Sequence, residues 1–396
     1  MPLPRVTLAA GREAPFLGGH PWLFSGAIQS EEGHPSDGDE VDVVTQGGEF
    51  VARGLYNSRS QIRVRLYRWD PEPLDDAFFA DLIRDAVRLR HRVLGLGSPD
   101  GACRLVFSEG DGLSGLTVDR YGPYLSVQLT SLALARRREA LLDALEAQLQ
   151  PTGMVLRTEK GILEEEGLEL RDGPLRGTLP EGPYEVVDGG LRFAVDLRTG
   201  QKTGFYLDQR QNRARAAAYA AGRSVADVCC YTGGFSVALA AAGATSVVGV
   251  DASESALALA AANSARNGVG EKTTFARGDA FQWLEGEAEA GRSYGMIVLD
   301  PPRFARTRKG VRQAVRAYER LNRLALACLR PDGILVTCSC SGRVAAAEFA
   351  DAVGRAGMAA RRSVQVLEAR GQAADHPVAA TCPESAYLKC LICRVV

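Results

Sequence analysis

The chain of 396 residues is long enough for two or three domains with a large core, and 46% hydrophobic against 24% charged residues excludes a disordered or fibrous protein. Its 47 basic and 48 acidic side chains nearly cancel, so contact with a polyanion has to come from local patches rather than from the field of the whole molecule. Nine scattered cysteines, an N-terminus without a leader-like apolar stretch and the lack of any window of about 18 apolar residues lead us to expect a reduced, cytoplasmic protein without a membrane segment.

Residues 1–72 read as short strands, among them 41–44, 50–55 and 62–67, separated by glycine-containing turns, which predicts a small β-barrel closed off by the WDPEP boundary at 69–73. Residues 73–185 combine an amphipathic helix starting at Asp75, a strand YLSVQLT and a second helix across ARRREALLDALEAQL, a central α+β domain. From 186 to 396 strands alternate with helices, at SVADVCC, TSVVGVD, TTFARGD, YGMIVLD, GILVTCS, ARRSVQVLE and YLKCLICRVV. That rhythm predicts an α/β domain with a parallel sheet and crossover helices. The last two strands are joined by a loop with Gly371, Pro377 and Pro383, so they should pair antiparallel and make the seven-stranded sheet mixed. Cys390-x-x-Cys393 lies inside the final strand without a partner pair, which favours core thiols over a metal site; no metal is expected.

Four acidic residues fall at the ends of four successive strands: Asp227, Asp251, Asp279 and Asp300, the last followed by Pro301-Pro302. Asp227 precedes the loop Cys229-Cys230-Tyr231-Thr232-Gly233-Gly234-Phe235, whose glycines let backbone approach a ligand next to a helix start. Tyr231, Thr232, Gly233 and Phe235 are therefore candidate cofactor contacts. Asp251 is positioned to accept from ribose hydroxyls, and Asp279 from an adenine amino group. All four carboxylates converge on the switch-point edge of the sheet, which suggests a nucleoside-bearing cofactor. The G-x-G-x-x-G fingerprint of dinucleotide binders is missing, which weakens a nicotinamide reading.

With CYTGGF, DPPRF and TCSCSG after the first, fourth and fifth strands, the C-terminal part resembles the class I S-adenosylmethionine-dependent methyltransferases, a Rossmann-like fold. GHPWLFSGAI at 19–28, FSEGDGLSGLTVDRYG at 107–122, KTGFYLDQRQNR at 202–213 and QAADHPVAAT at 372–381 are more narrowly similar to bacterial PUA-domain 23S rRNA cytosine-5 methyltransferases. The resemblance implies a PUA-like RNA-binding barrel, S-adenosyl-L-methionine as cofactor and large-subunit ribosomal RNA or its precursor particle as partner. A homodimer is left open. The resemblance also suggests that the 202–213 segment folds over the cofactor's methionine end, with Lys202, Phe205 and Arg210 as candidates.

Carbon 5 of cytosine is a poor nucleophile, so its methylation requires a thiolate to add first at carbon 6. Cys338 and Cys340 alternate at the end of the fifth strand and periodicity does not choose between them. Cys340 is nearer the crevice and matches the family's nucleophile motif, so it is preferred. Asp300 is placed to assist at N3 of the base, and Phe304 offers an aromatic face. The residues Arg303, Arg306, Arg308, Lys309, Arg312, Arg316, Arg320 and Arg323 form a basic run with four arginines at helical spacing, a candidate phosphate contact. Arg59, Arg63, Arg65 and Arg68 suggest a second patch in the barrel. Three other readings compete: a methyltransferase of the same fold acting on an exocyclic amine or protein, a nicotinamide-dependent dehydrogenase, and a non-catalytic RNA-binding assembly factor.

Overall fold

Alternation of valine with acidic residues in EVDVV shows how the N-terminal sheet is made: Val41 and Val43 are buried while Glu40 and Asp42 face outward. A computed structural model describes residues 2–198, 204–305 and 310–396. Lys202, Arg306, Arg308 and Lys309, singled out from the sequence, lie outside the described residues.

In the first part of the chain, β1 (Arg5–Leu8), β2 (Trp22–Phe24), β3 (Ile28–Glu32), β4 (Glu40–Val44), β5 (Phe50–Tyr56) and β6 (Ile62–Arg68) form one sheet in the order β2-β6-β5-β4-β1-β3, with α1 (Ala14–Leu17) after β1. A Cβ on Gly54 would sit 2.4 Å from the Arg65 carbonyl oxygen, so the close approach of β5 and β6 requires glycine there. Next comes α2 (Asp76–Arg88), capped by the Asp75 carboxylate, which accepts from the Phe78 N–H at 2.8 Å. Its buried stripe of Phe79, Ile83, Ala86 and Val87 has helical spacing. A second sheet follows, in the order β11-β10-β9-β8-β7, from β7 (Ala102–Phe107), β8 (Leu116–Tyr121), β9 (Tyr124–Leu129), β10 (Gly153–Leu156) and β11 (Gly173–Gly177). The helices α3 (Leu132–Arg136), α4 (Arg138–Leu149) and α5 (Lys160–Glu166) are interspersed with its strands.

The chain then forms a two-stranded ribbon, β12 (Tyr184–Asp188) and β13 (Leu191–Val195), and a seven-stranded sheet. Its strands are β14 (Ser224–Val228), β15 (Ser246–Asp251), β16 (Thr273–Arg277), β17 (Tyr294–Leu299), β18 (Leu329–Ser339), β19 (Val364–Arg370) and β20 (Lys389–Val395). The order is β16-β15-β14-β17-β18-β20-β19; the first five run parallel and β20 is antiparallel to both of its neighbours. The helices are α6 (Arg210–Ala217), α7 (Gly234–Ala241), α8 (Glu254–Arg266), α9 (Ala280–Glu289), α10 (Val311–Ala327) and α11 (Ala346–Ala360). A near-continuous apolar run such as YGMIVL suits β17 because a parallel strand is covered on both faces. Thus the mixed α/β sheet expected from the strand rhythm is present, with its final pair antiparallel. Cys390 and Cys393, three residues apart on β20, project to opposite faces and cannot close on one ion.

Compact units are drawn differently from the three-part division expected at 72/73 and 185/186. One unit comprises residues 1–186, 195–205 and 374–385; the other comprises 187–194, 206–373 and 386–396. Leu55 and Tyr67 belong to the same buried cluster as Leu105, Val118 and Leu142, so the first two expected domains share a core. Residues 374–385 join this unit through charge. Asp375 is buried and accepts from the Arg104 N–H at 3.0 Å, while its carbonyl accepts from Arg90 at 2.7 Å. Arg90, wholly buried, also makes a two-pronged pair with Asp111 at 2.5 and 2.8 Å.

Candidate active site

At the carboxyl end of β14, Asp227 is fully buried, and its Oδ2 accepts from the backbone N–H and hydroxyl of Ser236 at 2.8 and 2.6 Å. These bonds tie the strand to the first turn of α7. Its Oδ1 is buried with no hydrogen-bond partner among the described residues. Burial pushes the carboxyl up to about 6, the Ser236 bonds opposing and the nearby Asp251 charge adding to it.

The loop between β14 and α7 is strained. Cys229, Tyr231 and Gly233 have φ of +67°, +50° and +79°, and the two non-glycine residues each cost on the order of 1–3 kcal/mol. Neighbouring groups hold it: the N–H groups of Cys229 and Cys230 donate to the Val250 carbonyl at 2.8 and 3.0 Å, and that of Tyr231 to Asp251 Oδ2 at 2.9 Å. Asp251 Oδ1 accepts from Ser253 N–H at 2.9 Å, just before α8. A Cβ on Gly233 would lie 3.1 Å from that of Ala260, which keeps the loop against α8. The Thr232 hydroxyl is buried with no partner among the described residues, and the Thr232 carbonyl accepts from Asn263 at 3.0 Å. Phe235 is buried in the first turn of α7. Asp279 is exposed and caps α9, its Oδ1 accepting from the N–H groups of Phe281 and Gln282 at 2.9 and 3.1 Å.

Across the adjacent strand end, Asp300 is half-buried, and its Oδ1 accepts from the Gln209 side-chain amide at 2.9 Å. Gln209 Oε1 in turn accepts from Asn212 at 2.7 Å, so a short chain of amides fixes the carboxylate. Tyr206 lies edge-on to Tyr231, 5.2 Å between ring centres. Its hydroxyl is pushed above the ordinary value by burial, then by the charges of Asp300, Tyr231 and Cys340. These residues fall in the 202–213 stretch, where the sequence suggested Phe205 and Arg210 instead. Arg210 donates to the buried Asp188 together with Arg213, an internal ion pair that holds the Asp188 carboxyl below its ordinary range despite burial. Phe205 belongs to the first unit, where its N–H donates to the Tyr121 hydroxyl at 3.1 Å.

The two cysteines separate clearly. Cys338 is sealed inside the sheet, paired in register with Cys390, and contact with that thiol and burial raise it well above the ordinary value. It is corrected to a core residue. Cys340 lies just beyond the end of β18, half-buried, its Sγ 3.9 Å from the Pro301 carbonyl oxygen to which it donates. The Asp300–Ala305 and Cys340–Ser341 segments are tied by the Ser341 hydroxyl, which accepts from Ala305 N–H at 3.3 Å and shares a hydrogen bond with the Tyr318 hydroxyl at 2.9 Å. Phe304 packs on Tyr318, ring centres 4.8 Å apart, and is partly buried. Lys389, at the start of β20 opposite Ser339, was not anticipated; its ammonium donates to the carbonyls of Ser341 and Tyr387 at 2.7 and 2.9 Å.

Of the basic residues, Arg303, Arg312, Arg316 and Arg323 are exposed and form no ion pair among the described residues, whereas Arg320 pairs with Glu285 at 2.7 Å. In the barrel patch Arg59 is exposed, and it is Arg65 that is corrected. Arg65 is buried, donating to Glu166 at 2.8 Å and to the Ser114 hydroxyl at 3.1 Å. Arg63 turns back onto the Asn57 and Ser58 carbonyls, and Arg68 is paired with Asp70 at 2.7 Å.

A sheet of this order, with carboxylates and a strained glycine loop at its carboxyl edge, is the fold of class I methyltransferases. Residues 6–69 match the PUA-like domain family, and residues 174–388 match the family described as S-adenosylmethionine-dependent methyltransferase. Ribosomal RNA large subunit methyltransferase I of Escherichia coli (strain K12) is 39% identical over 396 residues, covering 99% of each chain. Its Salmonella arizonae counterpart is 39% identical over 397 residues, covering 99% of this chain and 98% of that one. Among solved structures, SMU.776 complexed with SAH superposes with a TM-score of 0.86 at 21% identity, covering 98% of this chain and 99% of that one, a likeness of fold. The chain therefore belongs to the S-adenosylmethionine-dependent methyltransferases and, within them, to the family of ribosomal RNA large subunit methyltransferase I.

Proposed function

We propose that the protein transfers a methyl group from S-adenosylmethionine to carbon 5 of a cytosine in large-subunit ribosomal RNA through a covalent bond between Cys340 and carbon 6. The observation that carries this reading is the contrast between the thiols. Cys338 is sealed against Cys390, while Cys340 lies partly exposed beside the Asp300-Pro301 turn. The cofactor supplies an electrophilic methyl group on a sulfonium centre. Asp227, whose buried Oδ1 has no partner among the described residues, suits the cationic methionine end. Tyr231, Thr232 and Gly233 supply loop backbone, and Asp251 and Asp279 have acceptor capacity for the nucleoside.

In this reading the Cys340 thiol loses its proton and its sulfur bonds to carbon 6, while the C5–C6 π pair moves onto carbon 5 and N3. Asp300, held by Gln209, shares a proton with N3 and offsets the charge building there. Carbon 5 then takes the methyl group. Loss of the carbon-5 proton re-forms the C5–C6 double bond and expels the sulfur. Exposed Arg303, Arg312 and Arg316 contact RNA phosphates, with Arg306 as a further candidate and the PUA-like domain as a second RNA contact.

Trapping with an RNA carrying 5-fluorocytosine tests this directly, because fluorine cannot leave as a proton does. We expect a denaturant-resistant adduct on Cys340. Cys340→Ala should lose adduct and methyl transfer while still binding S-adenosylmethionine, and Cys338→Ala should keep both. Full methyl transfer by Cys340→Ala would favour an exocyclic amine as the acceptor.

A further inference from the structure

Lys389 is a half-buried cation whose two hydrogen bonds go to backbone carbonyls; no carboxylate lies within ion-pair distance of it among the described residues. One of those carbonyls belongs to Ser341, the residue after Cys340, and the strand that carries Lys389 is in register with the strand that leads into Cys340. Two N–H bonds of Nζ are committed to the Ser341 and Tyr387 carbonyls, which leaves its third position for a proton in the ammonium or for a lone pair in the neutral amine. The charged or titratable groups acting on it are Cys340, which favours the ammonium, and Arg303, which opposes it; Asp300 and Tyr206 act in turn near Cys340.

We infer that Lys389 takes the proton of the Cys340 thiol, so that the nucleophile stands as a thiolate against an ammonium; this rests on the reading that Cys340 attacks carbon 6. The S–H bond breaks with both electrons left on sulfur, the Nζ lone pair forms the new N–H bond, and no further reagent is needed. When the sulfur is expelled at the end of the cycle it takes the same proton back, and the carbon-5 proton leaves to solvent. Burial draws Lys389 down from the ordinary 10.5 to about 8, so a share of the neutral amine is present near neutral pH. Lys389 is thus the proton acceptor for the thiol.

The test is the pH dependence of Cys340 alkylation by iodoacetamide in the intact protein, read by tandem mass spectrometry that separates Cys340 from Cys338. In the unmodified protein we expect the inflection below the roughly 8.5 of an ordinary thiol; an inflection at or above that value overturns the inference whatever any variant does. In Lys389→Met and in Lys389→Gln, which can still donate to one carbonyl, the inflection should rise by at least about one unit, with roughly tenfold slower alkylation at pH 7. An unchanged inflection in either variant, with S-adenosylmethionine still bound, overturns it. Failure of the underlying reading shows separately, as a missing 5-fluorocytosine adduct in a protein whose Cys340 inflection is nonetheless low.

Discussion

Asp227 is buried with one oxygen that has no hydrogen-bond partner among the described residues, and its folded-state value of about 6 exceeds the ordinary 3.8. The sign follows: above pH 6 the ionised carboxylate is buried at a cost, and that cost is relieved as the pH falls from about 6 towards 4. A shift of this size corresponds to about 3 kcal/mol at this fully buried group. Asp227→Asn should therefore melt higher than the unmodified protein at pH 8 and lose S-adenosylmethionine binding, the trade expected of a site that stores strain. Calorimetry at pH 8 checks it, and a lower melting temperature would show that the ionised carboxylate is not penalised. The strand-end carboxylates and Cys340 were legible in the sequence because position along a strand fixes where a side chain emerges. Cys340 was already preferred over Cys338 for its place nearer the crevice and its motif; what the sequence did not carry is the register of β18 with β20, which brings Cys390 against Cys338. Gln209 and Lys389 were illegible because their partners, Asp300 and Ser341, lie in distant chain segments, with no local spacing to announce them.

At the scale of elements, periodicity worked where a helix carries the feature. Arg312, Arg316 and Arg323 all emerge exposed from α10, as their spacing demands, while Ala314, Tyr318 and Leu321 are buried on its opposite side. Replacing Arg312 and Arg316 together should reduce the slope of log affinity against log salt for ribosomal RNA by about 1.4–1.8, the contribution of two phosphate contacts. Filter binding across a salt series measures it; an unaltered slope removes these residues from the RNA contact. Charge counting failed on β6 because alternate residues of an internal strand face a core, and Arg65 is spent on Glu166. Arg65→Met should leave the salt slope unchanged and destabilise the fold by about 3–5 kcal/mol, since Glu166 would be left buried without its cation.

At the scale of the molecule, the family was legible from motifs spread along the chain and the mixed seven-stranded sheet from its strand rhythm, but the compact units were not, because neither is a continuous stretch. The chain passes from one unit to the other after residues 186, 194, 205, 373 and 385. A fragment of residues 1–186 lacks Asp375, so Arg90 loses the carbonyl it donates to and Arg104 N–H loses its acceptor. We expect that fragment to melt roughly 2–12 °C below the intact protein, from a penalty of about 1–3 kcal/mol; differential scanning calorimetry of the two decides it, and equal melting temperatures would show that the returning segment adds nothing.

Burial of Asp375 beside Arg90 also sets a timetable for biosynthesis. A nascent polypeptide emerging at about 5–20 residues per second needs on the order of 10–40 s to extend from position 186 to position 375. Throughout that interval Arg90 waits inside a partly built core with its guanidinium short of one acceptor, and that hydrogen bond closes only once residue 375 has been made.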